Sequence, residues 1–78
     1  MKKEYRTTDI VLAASLRVHG YKMNSIEVAG SRGTFVFDNV DDEFLLQYDL
    51  SKCNVEPVAF NNAIKQLTTS VRRMIQTR

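Results

Sequence analysis

The chain has 78 residues, 44% of them hydrophobic and 26% charged, with a formal net charge of +2. This size and composition fit one folded domain spanning residues 1–78 and exclude a disordered tail. The single cysteine, Cys53, excludes an internal disulfide. Because a lone thiol is typical of a reducing compartment, we expect a cytoplasmic protein. We expect no metal site, since one Cys and one His cannot form a structural zinc site without carboxylates.

The first predicted elements are a short edge strand over residues 5–7 and an apolar helix over residues 10–18. Thr7 or Thr8 is the expected N-cap, which would place Asp9 in the first turn. Gly20 is the expected stop. The apolar segment is too short to cross a bilayer, so we expect no membrane association. Acidic residues before it and the lack of a cleavage motif favour an internal helix over a signal peptide.

A hairpin is predicted next. Residues 23–29 alternate apolar and polar side chains, Gly30-Ser31-Arg32-Gly33 supplies a turn, and residues 34–37 are β-branched or aromatic. The two glycines are expected to allow positive φ. In the second strand, alternation places two phenylalanines on one side and a valine on the other: Phe35, Phe37 and Val36.

Two further helices complete the pattern. Asn39 or Asp41 would cap the first, with Asp42 and Glu43 in its first turn and an apolar face formed by Phe44, Leu45 and Tyr48. The second would begin at Pro57, with Glu56 as a less favoured cap. Its apolar side chains are spaced alternately four and three residues apart: Phe60, Ile64, Leu67, Val71 and Met74.

The predicted fold is α+β, in the order β-α-β-β-α-α, with a small antiparallel sheet of two or three strands packed with three helices. Open sheet edges and the small core favour a homodimer. We expect the N-terminal half of the last helix to lie in the core, and residues 71–75 to project and pair with a second subunit.

Charge is strongly segregated along the chain. Residues 57–78 contain four basic and no acidic residues, whereas residues 38–56 contain six acidic residues and one lysine. Lys65 and Arg72, seven residues apart, would lie on one line of the last helix together with Asn61, and Arg73 would lie alongside. Such a surface is typical of phosphate contact in DNA-binding and other nucleic-acid-binding proteins, and Arg32 in the hairpin turn could reach the same phosphate.

Other interpretations of the basic helix stay open. It could be a solvated face whose positive end complements the helix dipole, or it could bind an acidic protein, including the acidic segment of a second copy. A G-x-x-G loop clamps phosphate in some RNA-binding modules, but between two strands it is better interpreted as a turn.

Catalytic and metal-binding interpretations are weaker. The carboxylates at residues 38–43 match no EF-hand spacing and are typical of helix capping. The residues next to His19 in the sequence include neither a nucleophile nor a carboxylate that could orient its ring. Cys53 lies in an acidic segment, and the neighbouring negative charges would lower the reactivity of its thiol. We therefore expect that the protein is not an enzyme and binds no cofactor.

The sequence resembles a family of small domains of unknown function found in bacteria, archaea and their viruses. The resemblance covers nearly the whole chain and rests on these motifs: Tyr5-x-Thr7-x-Asp9, Leu12-Ala13-Ala14, Gly20, Thr34-Phe35-Val36-Phe37 and Val55-x-Pro57-x-x-Phe60-x-x-Ala63-Ile64-x-x-Leu67. Glu56 departs from the Asp expected before Pro57. The resemblance implies a viral or mobile-element source but no reaction, cofactor or functional residue.

Two functional hypotheses follow. The first is a small non-enzymatic accessory protein that binds nucleic acid through its basic C-terminal helix. The second is a protein–protein interaction module, an inhibitor or adaptor of a host or viral protein, without nucleic-acid affinity.

Overall fold

A computed structural model describes residues 4–50 and 54–76. Its elements are β1 (Glu4–Thr7), α1 (Ile10–Val18), β2 (Met23–Ala29), β3 (Arg32–Asp38), α2 (Asp42–Asp49) and α3 (Pro57–Gln76). The predicted α+β fold and the element order β-α-β-β-α-α are confirmed, and the sheet has three antiparallel strands.

The longest strand pairing is the β2–β3 hairpin, and β3 lies at the centre of the sheet in the order β1-β3-β2. Phe37 pairs with Tyr5 on one side and Met23 on the other, while Phe35 lies between Thr7 and Ile26. Because paired residues share a face of the sheet, this register gathers the apolar side chains on the face that the helices cover.

The core lies between that face and two helices. Leu12 to Leu16 of α1 are all buried, and α3 contributes Ala63 and Leu67. Such a continuous buried segment identifies α1 as the central helix, as its apolar circumference predicted. The helices α1 and α3 are antiparallel. Val18, at the C-terminal end of α1, lies near Ala59 at the start of α3, and Ile10, at the start of α1, lies near Ile75 at the end of α3.

Val36 points to the other face of the sheet, as predicted, yet it is only 1% exposed. The guanidinium of Arg6 on β1 donates to the carboxylate of Glu27 on β2, with nitrogen–oxygen distances of 3.2 and 3.4 Å. Because β3 lies between these strands and Arg6 pairs with Val36, the ion pair crosses over the valine and covers it.

Most helix ends lie where the sequence predicted them, but the N-cap of α1 is a different residue. This N-cap is Asp9, not Thr7 or Thr8: the Asp9 carboxylate accepts from the backbone N–H groups of Val11 at 2.9 Å and Leu12 at 3.2 Å. The Thr7 hydroxyl instead accepts from the N–H of Asp9. A carboxylate wins this position because it also meets the positive end of the helix dipole.

The C-terminal end of α1 is closed by Gly20 at φ 90°. The N–H of Gly20 donates to the carbonyl of Arg17, and that of Tyr21 donates to the carbonyl of Leu16. These two bonds are the Schellman pattern, so the predicted stop is confirmed.

The other two helices also begin as predicted. Asp41 caps α2 by accepting from the N–H of Glu43 at 3.1 Å. Pro57 is the first residue of α3, and the carboxylate of Glu56 caps it by accepting from the N–H of Ala59.

The α2 helix packs on the core through its predicted apolar face, although none of its residues is fully buried. Phe44 meets His19 and Tyr21 edge to face, with ring centroids 5.0 and 5.3 Å apart. At the other end of the helix, the Tyr48 hydroxyl donates to the Asp9 carboxylate at 3.1 Å. These contacts place α2 along α1.

The C-terminal half of α3 does not project as the sequence suggested. Val71 packs against the core, and Met74 and Ile75 are half-buried. The sheet face extends far enough along the hairpin to cover this part of the helix. Within the described part of the chain, none of the helices has both the length and the apolarity needed to cross a membrane.

Candidate nucleic-acid interface

The predicted basic residues of α3 lie on its exposed side. Lys65, Arg72 and Arg73 are all exposed, and so is Asn61. The helix is amphipathic because Ala63 and Leu67 face the core, which forces the intervening polar positions outward. The structure does not gather these side chains in one groove: Lys65 and Arg73 line the groove on one flank of the helix, Arg72 lines the groove on the other, and Asn61 lines neither.

The first flank faces α1. Lys65 and Arg73 line an open groove of about 400 Å³ between the two helices, together with Arg17, Gln66, Thr69 and Ser70. A second depression, which shares Arg17 and Gln66, extends this surface toward Asn62 and Ala59. We call the two together the interhelix groove.

Arg17 is the functional candidate that sequence reasoning missed. It stands 48 residues before Lys65 in the chain, and only the antiparallel packing of α1 on α3 brings the two to one groove. The signal for it was weak: Arg17 is the one charged residue in an otherwise apolar helix. A charged side chain on a helix that is buried on most sides must lie where the helix meets solvent.

The second flank faces the tip of the hairpin. Arg72 and Arg32 line a groove of about 330 Å³, which we call the hairpin groove. Its other lining residues are Thr8, Ile10, Ser31, Gly33, Phe35, Thr68, Val71 and Ile75. Arg32 thus shares a groove with Arg72, while Lys65 lines the groove on the other flank.

The hairpin turn brings Arg32 to this position, and its two glycines act differently. Gly30 and Ser31 form a two-residue loop in which Gly30 alone has positive φ, at 63°, the pattern of a type II′ turn. Gly33 is not a positive-φ residue, which corrects the prediction. A Cβ on Gly33 would lie 2.9 Å from Cγ2 of Val71, so glycine is needed there for the close approach of α3.

Five basic side chains thus border the exposed side of α3: Arg17, Arg32, Lys65, Arg72 and Arg73. We call them the basic band. No carboxylate lines either groove, and over residues 4–50 and 54–76 no ion pair joins the band to an acidic side chain.

The carboxylates of the sheet lie on the far side of the domain. Glu4, Glu27 and Asp38 project from the sheet face opposite the helices. Asn24 donates to Glu4 at 3.1 Å and to Asp38 at 3.3 Å, and Arg6 pairs with Glu27 and Glu4. The hydrogen bond from Arg6 to Glu27, and then the negative charges of Glu27 and Glu4, raise the pKa of Arg6.

Neither catalysis nor metal binding gains support from the arrangement. Among the residues that the structure describes, no three His, Cys, Asp or Glu side chains are grouped to hold a metal ion. Nε2 of His19 donates to the backbone carbonyl of Asn54 at 2.9 Å, which ties α1 to the segment before α3. Cys53 lies outside the described residues.

Comparison of the chain with protein-family models, with curated proteins and with solved structures finds no match. The resemblance to small domains of unknown function therefore stays a prediction from the sequence.

Proposed function

We propose that this protein is a non-enzymatic accessory protein that binds the phosphate backbone of nucleic acid through its basic band. One observation carries the proposal: three separate elements bring five basic side chains to the two grooves that flank α3, and no carboxylate lines these grooves. Lysine and arginine that neutralise backbone phosphates supply most of the affinity of such contacts.

The helix dipole explains only part of this arrangement. Positive charge in the last turn of a helix is stabilising by itself, which is sufficient reason for Arg73 on α3 and Arg17 on α1. Lys65 lies in the middle of α3, Arg72 lies before its last turn, and Arg32 lies on β3. Since a helix dipole is felt only within the last turn, it gives no reason for these three positions.

The distribution of charge supports the same proposal. The small net charge and the acidic central segment would oppose phosphate binding if acidic and basic groups were mixed on one surface. Instead Glu4, Glu27 and Asp38 lie on the opposite face of the sheet, and Glu4 and Glu27 are paired with Arg6. The other carboxylates of the central segment line neither groove: Asp41, Asp42, Glu43, Asp49 and Glu56. A segregated positive surface attracts phosphate even on a molecule close to neutral overall.

The first test is fluorescence anisotropy with labelled duplex and single-stranded DNA and RNA at two salt concentrations. If four or five phosphates are contacted, the affinity for duplex DNA should fall by roughly 100- to 500-fold between 50 and 200 mM salt. No binding at either salt would refute the proposal.

Charge-reversal variants locate the surface. Lys65→Glu and Arg17→Glu should each weaken binding and make the salt slope shallower by about one. Lys22→Glu is the matched control, because Lys22 is exposed, changes the net charge equally and lines neither groove. Equal effects of all three would mean that only net charge matters and that the band is not the site.

A protein-interaction module is the second candidate function. Leu46 on α2 and Leu50, the C-cap residue of that helix, are more than half exposed, and α2 contains no basic residue. This candidate predicts no nucleic-acid affinity in the anisotropy assay and a loss of partner binding on Leu46→Ser/Leu50→Ser. The cytoplasmic location and the viral or mobile-element source stay predictions.

A further inference from the structure

The α2 helix carries an apolar ridge that its own domain does not cover. Leu46 is 56% exposed and Leu50 is 52% exposed. Four residues apart, they lie above each other on the side of the helix opposite Phe44 and Tyr48, which pack inward. Helical spacing places the acidic side chains Asp42, Glu43 and Asp49 around this ridge. The helix therefore presents leucines inside an acidic border.

The hairpin groove has the complementary character. Its apolar lining comes from four side chains of the core and of α3: Ile10, Phe35, Val71 and Ile75. Arg32 and Arg72 stand at its two sides, one on the hairpin and one on the helix, and no acidic residue lines it. An acidic amphipathic helix fits such a groove, with leucines inserted between the walls and carboxylates meeting the arginines.

We propose that the hairpin groove of one copy of this chain binds the α2 helix of a second copy. This inference does not rest on the proposed nucleic-acid binding, although Arg32 and Arg72 belong to both surfaces. It accounts for two features that folding alone leaves unexplained: the exposed leucines of α2 and the arginines beside an open apolar groove.

Symmetric alternatives are disfavoured by charge. Pairing of α2 with α2 would bring Asp42, Glu43 and Asp49 against their own copies. Pairing of α3 with α3 through its C-terminal half would do the same to Arg72 and Arg73. Like charges held together across an interface are destabilising, whereas the α2-to-groove contact brings opposite charges together.

The two surfaces lie close enough on one protomer for the contact to be reciprocal. Tyr48 of α2 donates to Asp9, and the neighbours of Asp9 in the chain, Thr8 and Ile10, line the hairpin groove. In a twofold dimer each α2 would then enter the groove of the other subunit. If the geometry does not allow both contacts within one pair of subunits, the same contact repeats from subunit to subunit and builds an open chain.

Light scattering over a range of protein concentrations tests this contact. Wild-type protein should show a molar mass that rises from one subunit to two or more as the concentration increases. Leu46→Ser/Leu50→Ser and Arg32→Glu/Arg72→Glu should each weaken self-association by about tenfold or more. Val58→Ser is the matched control, since Val58 is 64% exposed and lies outside both surfaces, and it should leave the mass unchanged. Circular dichroism confirms that each variant is folded.

A mixing experiment distinguishes this contact from a symmetric one. The leucine variant retains an unaltered groove and the arginine variant retains an unaltered α2. An equimolar mixture should therefore form heterodimers at concentrations at which each variant alone remains mostly monomeric. A wild-type protein that stays monomeric at every concentration, or a mixture that stays monomeric while wild type associates, would overturn the proposal. Nucleic-acid affinity retained by the leucine variant shows that nucleic-acid binding does not require self-association.

Discussion

Gly33→Ala should destabilise the protein at the junction of the hairpin and α3. The added Cβ would lie 2.9 Å from Cγ2 and 3.2 Å from Cγ1 of Val71. Val71 cannot turn away easily, because a β-branched side chain in a helix has one strongly preferred rotamer. Overpacking of this kind costs about 1–3 kcal/mol. Alanine also restricts the unfolded chain, which stabilises the folded protein by roughly 0.4–1 kcal/mol. We therefore expect the free energy of unfolding to fall by about 1–2 kcal/mol.

Thermal and urea denaturation measure this loss. For a domain of this size, it corresponds to a decrease in Tm of roughly 5 to 15 °C. Val71→Ala alone should cost about 1 kcal/mol, because it removes methyl groups from a half-buried site. In the double variant the clash is absent, so the summed single costs should exceed the measured cost by the cost of the clash, about 1–3 kcal/mol.

Gly20→Ala provides the control for this cycle. Gly20 has φ 90° and no atom within 4 Å of an added Cβ, so its cost of about 1–2 kcal/mol comes from backbone strain alone. That cost should add to the cost of Val71→Ala without coupling. If Gly33→Ala were as stable as wild type, or showed no coupling to Val71→Ala, the close approach of α3 to the hairpin would be refuted.

Three further predictions concern the cap, the sheet and the shared arginines. Asp9→Ala should lower stability by about 1 kcal/mol in thermal denaturation, because two N–H groups of α1 lose their acceptor, whereas Asp9→Asn, which retains a capping oxygen, should cost less. Arg6→Ala should uncover Val36 and speed hydrogen exchange at its amide, whereas Arg6→Met, which retains an unbranched chain over the valine, should not. Saturating oligonucleotide should dissociate self-associated protein in sedimentation experiments, since Arg32 and Arg72 belong to both proposed surfaces; an unchanged subunit number would contradict shared use of these residues.

Local patterns predicted the elements well because each element has a local cause. Gly20 closes α1, Pro57 begins α3, and alternation places Phe35 and Phe37 on one side of β3. The errors arose where two elements compete or meet. Thr7 and Asp9 both offer an acceptor at the start of α1, and only the folded chain shows that Asp9 takes the cap.

The candidate site was predicted less completely because its residues meet through packing. Lys65, Arg72 and Arg73 were evident from the charge of one helix, but helical spacing could not show that Arg17 would join Lys65 and Arg73. The role of Gly33 was hidden for the same reason. Glycine is required at this position because the side chain of Val71, 38 residues further along the chain, packs against it. The residue preferences of turns do not predict such a contact.

Arg72 is the residue at which the two proposed surfaces meet, and its position makes them separable. On one side it continues the line of Lys65 along α3, and on the other it borders the apolar floor of the hairpin groove. Phosphate needs only the charge of this residue, whereas a docked helix also needs the apolar floor beside it. Lys65 and Arg17 should therefore affect nucleic-acid binding alone, Leu46 and Leu50 should affect self-association alone, and Arg72 should affect both. A protein in which Arg72→Glu changes only one property would have only one of these surfaces.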